Sequence, residues 1–375
     1  MPVLILLFAA PQAVVLALWP AAHVLLIDLQ VYVAGGAHLL AGEPLYAGGV
    51  LLDLPFVYPP IAAVLFAPLT FVPLTLLKIA WTVVGVALLV AVVRRCAPGL
   101  PPGTIVLLVA LALWLDPVRT TLYLGQVNVV LLALVVLDLT RRSRWTGVGL
   151  GIAAAVKLTP LLFVAYLLLT RRFRAAATAL ATFVGATALG VLVAPADSAQ
   201  YWLRGTFLAA DRISAVAGPS NHALAGTLGR LVGEHAALAL GLSALLAVAT
   251  LLVARRLPTM WALTVVGLGS AAAAPFAWSH HYVWCVPLVV LLAVRRRWVP
   301  LAATLLVTAA VVTKLPGPSV GPIPATGLVS LWPDAYLVGF LVLLGCLASR
   351  RGRVALGVDP GHRQVRRLHP SVDRY

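Results

Sequence analysis

A few polar residues stand where the chain has little reason to carry them. Asp28 follows 27 residues without Asp, Glu, Lys or Arg, and apolar sequence resumes at once in "LQVYVAGGAHLLAG". Lys157 lies in "AAAVKLTPLLF", far from any basic cluster. His280 and His281 adjoin each other between aromatics in "AWSHHYVW". Asp116, Arg119, Gln126 and Asn128 punctuate "LDPVRTTLYLGQVNVVLLAL", and Asn221 sits in the Gly-rich "GPSNHALAGTLGRL". A carboxylate at a membrane edge can take the proton of a hydroxyl. A lysine beside a helix broken by Pro160 suits a phosphate, because proline frees backbone groups next to the charge. Adjacent histidines on a helix point about 100° apart, so one of the pair faces any site. No third metal ligand follows them at helical spacing, and no metal is expected. The chain has no G-x-x-x-x-G-K-[ST] loop for ATP. Together these residue types fit transfer from an anionic lipid phosphate to a hydroxyl: the acid deprotonates the acceptor and the cations stabilise the departing phosphate.

Each residue also has a plainer reading. Asp28 can be a solvated helix end, Lys157 a snorkelling side chain, and the histidines part of an interfacial aromatic belt. Asp116 and Arg119 can pair at i, i+3. Gln126 and Asn128 can be interhelical glue, and Asn221 and Arg230 loop and cap residues.

The elements that must position these groups are apolar. Of 375 residues 62% are hydrophobic and 10% charged, against about 25% charged in soluble domains. Lipid is therefore the expected solvent. The net charge of +16 does not indicate a nucleic-acid partner, because the arginines come in short clusters between apolar runs, the positive-inside pattern. These clusters are Arg94–Arg95, Arg141–Arg144, Arg171–Arg174, Arg255–Arg256, Arg295–Arg297 and Arg350–Arg353. With all six on the cytoplasmic side, the expected spans are 3–27, 74–93, 104–122, 123–140, 145–157, 159–170, 174–193, 236–254, 259–277, 282–294, 298–313 and 335–349. The expected fold is thus all-α and polytopic, with about 12 transmembrane helices and both ends inside. Residues 1–349 form the membrane domain and 350–375 a basic cytoplasmic tail. The first segment lacks a basic n-region and is read as a span and not a cleaved signal. "YPPIAAVLFAPLTFVP" (58–73) reads as a re-entrant or interfacial helix, and 145–170 as a helical hairpin with "KLTP" at its tip. This topology gathers nearly all polar residues outside the arginine clusters on the outer face. Cys96, Cys285 and Cys346 are isolated and form no framework.

The ordered segments "D…VYVAGGAHLLAGEPLY", "FVYPPIAAVLFAPL", "LGQVN", "GLGIAAAVKLTPLLF", "SNHALAG" and "WSHHYVW", from Asp28 to Trp284, resemble the family-87 glycosyltransferases. These are polyprenyl-phosphate-mannose-dependent α-mannosyltransferases of actinobacterial envelopes, in the C-type glycosyltransferase superfamily. The resemblance implies a multi-span plasma-membrane enzyme with its site on the extracytoplasmic face. It implies Asp28 as general base, with Lys157, His280, His281 and Arg119 toward the donor phosphate. Tyr58, Gln126, Asn128 and Asn221 would line the pocket. It further implies an inverting transfer without metal or other cofactor, from a polyprenyl-phosphate sugar to a glycolipid or polysaccharide acceptor. Where the family usually has N-Q-S-L, this chain has Asn221-His222-Ala223-Leu224. Two alternatives stay open at this point: an arabinofuranosyltransferase using decaprenyl-phosphate arabinose, and a non-enzymatic transporter or flippase of an anionic lipid. A transporter would need polar residues reachable from both sides.

Overall fold

The computed structural model describes residues 26–209, 212–308 and 333–358. The expected first span lies outside these residues except for its last two. The described chain is helical apart from a two-stranded antiparallel hairpin, β1 (Gly49–Leu51) and β2 (Leu54–Pro55). The helices are α1 (Ile27–Ala41), α2 (Pro60–Phe66), α3 (Leu74–Cys96), α4 (Pro102–Trp114), α5 (Asp116–Leu124), α6 (Asn128–Leu139), α7 (Val148–Val156), α8 (Leu161–Leu169) and α9 (Phe173–Val193). They continue, after a single helical turn at Pro195–Ser198, with α10 (Leu224–Val232), α11 (Ala236–Ala254), α12 (Thr259–Ala272), α13 (Cys285–Val294), α14 (Trp298–Thr308), α15 (Ala335–Ala348) and α16 (Arg350–Ala355).

Three of these helices, α3, α9 and α11, are long and apolar enough to cross a membrane. Only 17% of the most apolar window of α9 and of α11 is buried inside the protein, so these helices present apolar side chains outward, as lipid-facing helices do. A fourth span would be the pair α4 and α5, bent by 77°. The sequence reading takes 104–122 as one helix, and the break corrects it. Leu115 is extended, and Pro117 restarts a helix at its first turn, where its missing N–H costs nothing. The other expected spans are shorter apolar helices. The 58–73 segment becomes α2 followed by a 3-10 turn, Ala67–Phe71. The segment expected as a tail begins with α16, capped by the Ser349 side chain, and Gly357 O accepts from Arg295 Nε at 3.0 Å.

Association of such helices rests on close packing, because lipid is as apolar as the side chains. The hairpin α7–α8 shows how. Gly147 enters α7 at φ +114, with Ala175 O only 2.3 Å from where its Cβ would stand. Any other residue there would push α7 off α9. Arg172 Nη2 donates to Leu139 O at 3.2 Å, and Arg95 Nε to Thr140 Oγ1 at 2.6 Å. The ends of α3, α6 and α8 and the starts of α7 and α9 therefore share one end of the bundle, the arginine end. Following α6, α7 and α8 away from it leads to Asn128, Lys157 and Leu161 at the opposite end.

Candidate active site

That opposite end holds a cavity of about 190 Å³. Tyr58, Gln126, Lys157, Thr159, His280 and His281 line it, with an aromatic wall from Tyr201, Phe207, Phe276 and Trp278. Local sequence explains how the groups arrive. Gly125 ends α5 in the left-handed conformation, φ +72, and a Cβ there would stand 2.7 Å from Leu29 Cβ. Glycine thus lets the "LGQVN" turn close on the first turn of α1, which carries Asp28. The result is a 2.7 Å hydrogen bond from Gln126 Nε2 to Asp28 Oδ2. The Gln126 Oε1 accepts from the hydroxyls of Tyr32, at 2.9 Å, and Tyr58, at 3.2 Å. Burial pushes the Asp28 carboxyl up to about 6, against the opposing pull of the Gln126 amide and the Lys157 charge.

Lys157 follows α7 with extended backbone (φ −149, ψ 132), as expected of a residue near a proline-terminated break. Its Nζ lies 2.8 Å from His281 Nε2 and donates to Asn128 Oδ1 at 3.3 Å. With Lys157 as an ammonium, which only donates, the imidazole Nε2 accepts and its proton sits on Nδ1. That Nδ1 and the Asn128 Nδ2 are buried and have no hydrogen-bond partner among the described residues. Both residues line a smaller pocket of about 30 Å³ that shares Lys157, Thr159 and His281 with the main cavity. No cluster of three or more His, Cys, Asp or Glu able to hold a metal occurs among the described residues.

The structure thus brings Tyr58, Gln126, Asn128, Lys157, His280 and His281 together about one cavity and its inner annex. Asp28 lines neither and is joined to the cavity wall through its hydrogen bond with Gln126. Both histidines line the cavity, where helix geometry allowed one. They sit in a 3-10 turn (Ser279–Trp284), with rings 4.9 Å apart and edge to face, and only His281 meets the lysine. Two expected site residues are placed elsewhere. Arg119 is buried 3.7 Å from Asp116, whose other oxygen accepts from the Tyr336 hydroxyl at 3.0 Å, so the i, i+3 pairing holds and Arg119 does not line the cavity. Asn221 is fully buried and its side chain is occupied. Nδ2 donates to Val216 O and Pro275 O, and Oδ1 accepts from Ala223 N and Ala277 N, at 3.0–3.2 Å. Asn221 therefore clamps the loop that carries Trp278 and the histidines, and has no group left for a ligand. His222 is tied to Pro333 O at 2.7 Å.

Tyr32 is the residue that sequence reasoning missed, although its spacing of four from Asp28 puts both on one face of α1. The aromatic wall and Arg212, which also lines the cavity, carry no comparable signal in the sequence.

A helical, membrane-bound protein that sets an acid beside a cavity lined by a lysine and imidazoles has the parts of a group-transfer enzyme. The family model described as Glycosyltransferase family 87 matches residues 56–278, downstream of Asp28. A polyprenol-phosphate-mannose-dependent α-(1-2)-phosphatidylinositol mannoside mannosyltransferase of Mycobacterium tuberculosis is 41% identical, over 74% of this chain and 73% of its own length. The protein of that name from Mycolicibacterium smegmatis is 36% identical, over 72% and 71%. A phosphatidylinositol pentamannoside mannosyltransferase of Mycobacterium tuberculosis is 36% identical, over 70% and 65%. No solved structure matches. The chain belongs to glycosyltransferase family 87.

Proposed function

We propose that this protein moves mannose from a polyprenyl-phosphate donor to a hydroxyl of a phosphatidylinositol-mannoside-like glycolipid, with Asp28 as general base. The acceptor hydroxyl gives its proton to Asp28 as its oxygen bonds to the sugar C1. The C1–O bond to phosphate breaks on the opposite face, its electron pair leaving with the lipid phosphate, so the anomeric configuration inverts. Lys157, hydrogen-bonded to His281 and Asn128, faces the growing phosphate charge. The single observation that carries this reading is the hydrogen bond tying Asp28 to Gln126, a wall residue of the cavity that Lys157 also lines. The activities for which the relatives are named favour mannose over arabinose and a glycolipid acceptor over a polysaccharide.

The cavity lies away from the arginine end. With the arginines cytoplasmic, it opens toward the outer face of the plasma membrane. The alternation of helices between the two ends supports a multi-pass arrangement of about twelve passes, and the relatives favour an actinobacterial source. The test is to incubate purified protein with polyprenyl-phosphate mannose and phosphatidylinositol mannosides and read products by mass spectrometry. A product one hexose heavier, lost in Asp28→Asn, is expected. An Asp28→Asn enzyme with wild-type rate overturns the mechanism.

A further inference from the structure

Asp28 takes its hydrogen bond from a side chain whose orientation is set by others. The Gln126 amide has two faces: Nε2 donates to Asp28 Oδ2, and Oε1 accepts from two tyrosine hydroxyls. Hydrogen accounting gives the network a direction. Each hydroxyl holds one proton. The Val127 N–H donates to the Tyr32 oxygen at 3.3 Å, and the Tyr32 proton goes to Gln126. The Tyr58 oxygen lies 2.9 Å from that of Tyr32 and 3.2 Å from the amide oxygen, so its proton serves one or the other. The rings cannot drift. Tyr32 stacks on Phe66 at 4.6 Å and meets Tyr58 edge to face at 5.2 Å, and both tyrosines are buried.

A reversed amide would set its oxygen against the Asp28 carboxylate and its NH2 against the two hydroxyls. Acceptor against acceptor is tolerable only when Asp28 is protonated and donates. The two orientations of Gln126 therefore go with the two protonation states of Asp28.

We propose that Gln126 is a positioning residue for Asp28 and that Tyr32 and Tyr58 clamp its amide in the donating orientation, which keeps the base ionised. This rests on Asp28 being the base. It reassigns Gln126 and Tyr58, which the sequence places among the pocket's substrate contacts, and brings in Tyr32. The titratable groups facing Asp28 are Tyr32 on its own helix, Tyr58 from the strand-to-α2 loop and Lys157 from the α7–α8 break, with His281 behind the lysine. Lys157 and His281 stay unchanged in the clamp variants, so a shift between those variants and wild type reports the clamp.

The experiment is the pH profile of kcat/KM for the full chain in detergent, with polyprenyl-phosphate mannose and a phosphatidylinositol mannoside. In the Tyr32→Phe/Tyr58→Phe double variant the acid limb moves up by about one pH unit, the worth of one net hydrogen bond to the charged form. Gln126→Leu moves it as far, and Gln126→Glu further, since two carboxylates then share the site. Above the limb kcat falls in these variants, because the base is held less firmly, while the KM values for donor and acceptor change less than kcat does. The proposal is overturned if the limb stays put while either KM rises, which makes Gln126 a substrate ligand. It is equally overturned if the folded double variant is inactive at every pH. Should Gln126→Leu fail to fold, the near-isosteric tyrosine variants still decide. Full activity in Asp28→Asn would sink the base assignment itself, a separate result from an unmoved limb.

Discussion

Two carboxylates, held near opposite ends of the same bundle, show what separates the acid proposed as base from a structural one. Asp138, in the last turn of α6, is 3% exposed and saturated. Its Oδ2 accepts from Gly147 N at 2.8 Å and Leu150 N at 3.1 Å, and its Oδ1 from Arg141 Nε at 3.1 Å. It staples the start of α7 to the end of α6. Asp28 is partly buried, and the hydrogen bond it accepts comes from the neutral Gln126 amide, at 2.7 Å. Backbone donors and a guanidinium tie down both oxygens of Asp138, whereas the Gln126 amide holds one oxygen of Asp28. The difference lies in the number and charge of the donors, not in the residue type.

The largest expected effect tests that contrast directly. Asp28→Asn lowers kcat by about 10²–10⁴, the usual share of a general base, with thermal stability at or above wild type, because no structural partner is lost beyond one amide hydrogen bond. A mutant that unfolds instead would make Asp28 a second staple. Next comes Lys157→Ala, expected to lower kcat/KM for the donor by about 10²–10³, as loss of one preorganised charge does. An equal loss with a neutral, phosphate-free mannoside donor would contradict a phosphate role. Smaller again is the effect of pH. The Asp28 carboxyl is pushed up to about 6, so the base form is present above that value. Below it kcat/KM falls about tenfold per pH unit. An acid limb near 4, the ordinary carboxylate range, would show that Asp28 is solvated in the working enzyme.

The contrast also explains what was legible in the sequence. Asp28 and Lys157 are visible because charge within apolar runs is costly wherever the chain goes. The α7–α8 hairpin is visible because two arginine clusters flank it and Pro160 interrupts it. The positions of most helices follow from the same apolar runs. The break between Leu115 and Asp116 hides inside such a run, since one proline near a helix start reads either as a kink or as a cap. Tyr32 hides because a tyrosine between apolar neighbours looks like core, and its function depends on Gln126, 94 residues away. Asn221 misleads for the converse reason. An Asn in a Gly-rich loop looks available, yet its four bonds are made with four backbone groups scattered from Val216 to Ala277. Asp138 sits in "VVLDLTRRSR", where it reads as a partner for nearby arginine, and its bonds to the start of α7 appear only once the loop folds back.

The smallest expected effects belong to Asp138 and rank its donors. Asp138→Ala orphans two buried N–H groups, at about 1–3 kcal/mol each. Asp138→Asn can turn its oxygen to Gly147 and Leu150 and keep both bonds, leaving an NH2 facing the Arg141 guanidinium. Arg141 is 48% exposed, so water replaces what it loses, and an exposed pair is worth about 0.2–1 kcal/mol. The Asn variant is therefore expected to melt above the Ala variant in detergent, with Arg141→Ala closest to wild type. All three should keep wild-type kcat per folded molecule, because nothing near Asp138 lines the cavity. If Arg141→Ala melts as low as Asp138→Ala, the ion pair and not the backbone bonds holds α6 to α7. Asp138 would then be a charge partner like Asp116, and the donor count that sets it apart from Asp28 would be the wrong measure.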